Sequence, residues 1–150
     1  MMAPLNVMPG FGIFPPEHTC DGADTSPESR VLGARTPYLA VVMEDPDASR
    51  GTLTHWLIWN IPATERIPAH LPPEGFLSEP AGAVQGTNDL GTIGYRGPCP
   101  SRGESHRYLF RVYGLDAMLP LAAGAGKHGL IEAMRAHVLQ SGETAALCSR

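Results

Sequence analysis

Asp45, in the string Asp45-Pro46-Asp47, His55, and His106 with Tyr108 two residues on, each fall at the end of an apolar run. Should those ends gather at one rim of a sheet, a carboxylate, two imidazoles and a phenol would converge on one small concave site. Taken singly, each has a plainer reading. Asp in D-P-D is often a turn former, and a His before a Trp is often a core residue with a satisfied ring. Two histidines and a carboxylate are also the ligand set of a non-haem iron or catalytic zinc enzyme. Against that stands spacing: metal ligands commonly come as close pairs, whereas His55 and His106 are isolated, and His18, His70, His128 and His137 complete no motif.

Other chemistry finds less support. The nucleophile motif G-x-S-x-G is absent, and Cys99 lies between two prolines with no evident activating partner. The string G-A-G-K-H-G (124–129) matches a dinucleotide-binding pattern, but only 21 residues follow it, so it reads as a loop and helix start. Trp56 and Trp59 could stack on a ligand, although core packing is the commoner use of such residues. The expectation is therefore a binding protein rather than an enzyme, with no cofactor and no metal.

Three apolar, β-rich runs must position these groups: Tyr38 to Met43, His55 to Ile61 and Tyr108 to Tyr113, stopped by Glu44-Asp45-Pro46, Pro62 and Gly114. Between the second and third, residues 62–103 are broken by Pro and Gly and suit short edge strands and long surface loops. From Lys127 to Gln140, Leu130, Ile131, Met134 and Val138 recur at spacings of three and four, which predicts an amphipathic helix with Gly142 as its stop. Strands first and a helix late predict a mainly β sandwich, and 150 residues without repeats or linker predict a single domain over 1–150.

A formal charge of -4 with scattered basic residues argues against nucleic acid as a partner. The N-terminal segment has neither a basic start nor an unbroken apolar stretch, and no apolar run is long enough for a membrane span, so a cytoplasmic address is expected. Cys20, Cys99 and Cys148 are odd in number and form no C-x-x-C pair, which predicts reduced thiols.

The blocks E-D-P-D-A-S (44–49), H-W-L-I-W-N-I-P-A (55–63), G-T-N-D-L-G (86–91), G-Y-R-G-P-C-P (94–100) and H-R-Y-L-F-R-V-Y-G-L-D (106–116) resemble, in order, the phosphatidylethanolamine-binding family. H-T-C-D-G-A-D-T-S-P (18–27) and A-M-R-A-H-V-L are similar to the two ends of its bacterial Raf-kinase-inhibitor-like branch. The resemblance implies a Greek-key sandwich of two antiparallel sheets with a C-terminal helix. It also implies a pocket for phosphate, acetate or a phospholipid headgroup such as phosphorylethanolamine.

Carried over by position, Asp45, His55, Gly97, Pro98, His106 and Tyr108 match the pocket residues. The two imidazoles and the phenol would donate to the anion, Gly97-Pro98 would allow close backbone approach, and Asp45 would orient a ring and hold it charged. Anion affinity is then expected to rise as pH falls toward about 6.5. The resemblance further implies restraint of a kinase or protease by direct binding, for which loops 64–80 offer a surface, and a homodimer, which no residue pattern demonstrates. Three departures touch the pocket, one being that the tail A-A-L-C-S-R lacks the family's usual tyrosine. Glu28-Ser29-Arg30-Val31 follows Ser26-Pro27 where the family has Leu and Trp, and Ser49 stands where Pro is usual.

Overall fold

The computed structural model describes residues 2–150. Its strands are β1 (Asn6–Met8), β2 (Ser29–Leu32), β3 (Tyr38–Asp45), β4 (Leu53–Pro62), β5 (Arg66–Ile67), β6 (Val84–Gln85), β7 (Ser105–Leu115) and β8 (Val138–Ser149), with one helix, α1 (Lys127–Met134). They form a three-stranded sheet in the order β1-β2-β5 and a five-stranded sheet in the order β6-β4-β3-β7-β8, with every strand pair antiparallel.

The three apolar runs are the middle of the large sheet; near-continuous apolarity in β3 and β4 follows from burial on both faces, whereas β7 alternates buried with half-buried or exposed positions. Val41, Met43, Trp56, Ile58, Phe110 and Val112 face the small sheet, where Val7, Val31 and Ile67 close the core. Val42, Leu57, Trp59 and Leu115 face the other way, against Leu130 and Met134 of α1. Glu44, buried on that second face, pairs with Lys127 and Arg111.

Two expectations are corrected. The helix predicted over Lys127 to Gln140 ends at Met134, and Val138 opens a twelve-residue strand. Asp116 turns the chain there: its backbone N–H donates to the His137 carbonyl at 3.1 Å, and its carboxylate accepts from His137 Nδ1 at 2.7 Å. Ile131 and Val138 completed the helical spacing in sequence, yet both side chains are exposed. Gly142, expected as a helix stop, pairs with Val112 inside β8. The second correction concerns the thiols. Cys20 and Cys99 form a disulfide across 79 positions, and Cys148 alone is free and buried.

Candidate functional site

Asp45 is the last residue of β3, His55 is near the start of β4, and His106 and Tyr108 lie two apart at the start of β7. Because β3 runs antiparallel between β4 and β7, its C-terminal end meets the N-terminal ends of both neighbours. Asp45, His55, His106 and Tyr108 therefore share one cleft of about 190 Å³, with Ser49, Leu53, Leu90 and the 99–104 turn completing its wall.

His55 reaches this cleft through a bulge. Met43 pairs with Trp56 while Glu44 pairs with Thr54, so His55 is the extra residue on β4. Strict alternation from Trp56 would send the imidazole to the α1 face, and the bulge re-aims it. Its ring meets Tyr108 edge-on at a centroid distance of 5.4 Å.

The two imidazoles are held differently. His106 Nδ1 bonds Asp45 Oδ2 at 2.7 Å and Nε2 bonds Glu104 Oε1 at 2.8 Å. Two carboxylates can only accept, so both ring nitrogens donate and the ring is an imidazolium. Its pKa is raised, chiefly by the Asp45 hydrogen bond with a further contribution from Glu104. His55 Nδ1 instead donates to the Arg96 carbonyl at 2.7 Å, and the Arg96 N–H returns a bond to the His55 carbonyl at 3.1 Å. Burial pushes the His55 pKa below its usual value, which favours the neutral ring. With Nδ1 carrying the proton, Nε2 is a lone-pair acceptor, and that buried atom has no partner. Burial also pushes the Tyr108 phenol up, so it keeps its proton.

The D-P-D loop is locked at both aspartates. Asp45 Oδ1 accepts the Asp47 N–H at 2.8 Å, leaving Oδ2 for His106. Asp47 accepts the Arg107 backbone N–H at 2.9 Å and two guanidinium bonds at 2.9 and 3.1 Å, which bring its own pKa down to about 2. Ser49, where the resemblance had led one to expect Pro, follows on the cleft wall.

Gly97 and Pro98 do not line the cleft; their neighbours Cys99 and Pro100 do. Gly97 is required by packing, since a Cβ there would lie 2.1 Å from the His18 carbonyl oxygen. Its N–H donates to Asp24 at 2.8 Å, and the Pro98 carbonyl accepts from Cys20 N–H at 3.1 Å beside the disulfide. This pair thus anchors the segment that presents Cys99. The block 86–91 acts in a similar way: Asn88 Oδ1 accepts from Leu90 N–H at 3.0 Å, and Asp89 accepts from Thr54 N–H at 2.7 Å, setting Leu90 beside His55.

Sequence reasoning missed Glu104. It sits on the turn before β7 rather than on the strand, so no strand period marks it out. Among the described residues, no group of three His, Cys, Asp or Glu side chains has a metal-holding arrangement, and no helix is long and apolar enough to cross a membrane.

The two-sheet sandwich accords with what known proteins show. A UPF0098 protein of Pyrococcus abyssi is 45% identical over 140 residues, covering 91% of this chain and 79% of that protein. One from Methanothermobacter thermautotrophicus is 44% identical over 142 residues, covering 93% and 92%. The crystal structure of Escherichia coli YbcL, described as a member of the mammalian PEBP family, superposes with a TM-score of 0.87 at 28% identity over 99% of both chains. A Chlamydia trachomatis protein described as a putative PEBP homolog gives 0.87 at 27% identity over 98% of both. With the family model matching residues 6–149, which span both sheets and all four cleft side chains, the chain belongs to the phosphatidylethanolamine-binding protein family.

Proposed function

We propose that the cleft binds a small phosphate-like anion, free or as the headgroup of a phosphorylated molecule such as phosphorylethanolamine. The observation that carries this is the pairing of a carboxylate-held His106 imidazolium with the unpartnered, buried Nε2 of His55 in one cleft of about 190 Å³. A volume below the ~300 Å³ typical of drug-sized sites suits a headgroup rather than a lipid tail. Neutral His55 accepts from a ligand O–H or N–H. Protonated, it donates to an anion's oxygen. Because its pKa is depressed, anion affinity rises as pH falls below about 6.5, while His106 stays charged throughout that range.

The test is an NMR titration of the histidine ring signals with phosphorylethanolamine and with inorganic phosphate, at pH 7 and pH 5.5, using His55→Ala and His106→Ala for assignment. Saturable shifts at these two rings, tighter at the lower pH, are expected. Silence at both rings with both ligands would refute the reading, and equal shifts with both ligands would place recognition in the phosphate alone. A cytoplasmic address is compatible with the Cys20–Cys99 disulfide only in an organism that keeps intracellular disulfides, as hyperthermophiles do; otherwise the bond favours an oxidising compartment.

A further inference from the structure

His106 offers a ligand only one nitrogen, since Asp45 holds Nδ1 from beneath, and Nε2 already has an anion on it. That anion is the protein's own Glu104. Asp45 and Glu104 differ in every respect that governs exchange. The Asp45 side chain is 4% exposed and accepts a second bond from Asp47, whereas the Glu104 side chain is 53% exposed and its carboxylate bonds only His106 among the described residues.

The backbone beneath Glu104 is pinned. Its N–H donates to Ser101 at 2.9 Å, its carbonyl accepts from Arg150 at 3.1 Å, and Gly103 N–H donates to the Arg150 carbonyl at 2.7 Å. Arg150 is itself tied through its guanidinium to Asp21 at 3.1 Å, next to the disulfide. The turn is fixed while the side chain is free to rotate into solvent, and exposed rotamer changes take picoseconds to nanoseconds.

Resting on the anion-binding reading above, we propose that Glu104 is a built-in competitor: its carboxylate occupies the ligand's place on His106 Nε2 and swings out when an external anion binds. An intramolecular carboxylate of this kind weakens the apparent affinity for every anion by one common factor, one plus the equilibrium constant for the internal pair. An exposed ion pair at its stronger end makes that factor about sixfold. Plain charge repulsion from Glu104 would behave differently, because it would weigh on a dianion about twice as heavily, in logarithm, as on a monoanion.

The experiment titrates sulfate and acetate into the protein and into Glu104→Gln, Glu104→Ala and Glu104→Asp by calorimetry at pH 5.5, where Asp45 alone keeps the His106 ring charged. The competitor predicts that Gln and Ala tighten sulfate and acetate by the same factor, about sixfold. Asp, whose shorter arm withdraws the carboxylate from Nε2 while keeping its charge, should recover part of that gain. A gain for sulfate that is the square of the gain for acetate, or no gain at all while wild-type protein binds sulfate, would overturn the proposal and leave anion binding intact. Failure of every variant to bind either anion would remove both readings together. A readout without ligand completes the set: freeing Nε2 shifts its nitrogen resonance in Glu104→Gln, and an unmoved resonance would show that the pair does not persist in solution.

Discussion

Two imidazoles lining one cleft differ in charge because each meets different surroundings. Burial favours neutral His55 and outweighs the Arg96 carbonyl, whose bond pulls the other way, whereas Asp45 and Glu104 favour the protonated form of His106. For His106 the folded-state pKa lies above the unfolded value of about 6.5. Its pairing therefore contributes stability that is fully present below pH 6.5 and is lost as pH rises through the folded pKa. Asp45→Asn should bring the His106 pKa down toward 6.5 in a ring-proton titration, and should cost more in melting temperature at pH 6 than at pH 9. A His106 pKa that stayed raised in this variant would transfer control of the ring to Glu104. The residue types of this site were legible from sequence, since Asp45, His55, His106 and Tyr108 do meet at one sheet end. The competing carboxylate was not, because an acidic residue on a turn looks like any solvated charge until its partner is known.

Among the elements, β3 and β4 were visible as apolar runs because both of their faces are buried, and β7 because its buried face alternates with a half-buried one. β8 was not. Its residues are small or polar and its exposed positions include Leu139 and Leu147, so no period of two stands out. The bulge that turns His55 into the cleft was hidden as well, since it depends on the register against a partner strand, Met43 against Trp56 and Glu44 against Thr54. What β8 contributes is packing space. A Cβ on Gly142 would lie 2.1 Å from the Leu5 carbonyl oxygen, and Ser141 accepts the Leu5 N–H at 3.0 Å. Gly142→Ala must push that segment away, and overpacking of this kind costs about 1–3 kcal/mol. Denaturant unfolding should show the loss with a nearly unchanged slope. A midpoint equal to wild type would mean that the Leu5 segment yields freely.

For the molecule as a whole, the disulfide joins the loop before β2 to the cleft wall at Cys99. No rule of cysteine spacing reveals a pair so far apart, and three thiols leave the pairing open. Closing a loop of 79 residues restrains the unfolded chain by roughly 4 kcal/mol in the chain-entropy treatment. Cys20→Ser with Cys99→Ser should therefore lower the melting temperature in non-reducing buffer, while in strong reductant the double variant and wild type converge; a gap that persists under reduction would assign the loss to packing. The other long-range closure lies in β8, which receives the first segment of the domain. Leu5 and Phe14 donate to Ser141 and Leu147, and the Gln140 amide bonds Ala3, Gly33 and Arg35. On a ribosome these β8 partners are made long after the segments they hold. Residues 3–35 must wait, unlatched, through the synthesis of another hundred, and a nascent chain stalled before Val138 holds a sheet whose β7 edge is still open to strangers.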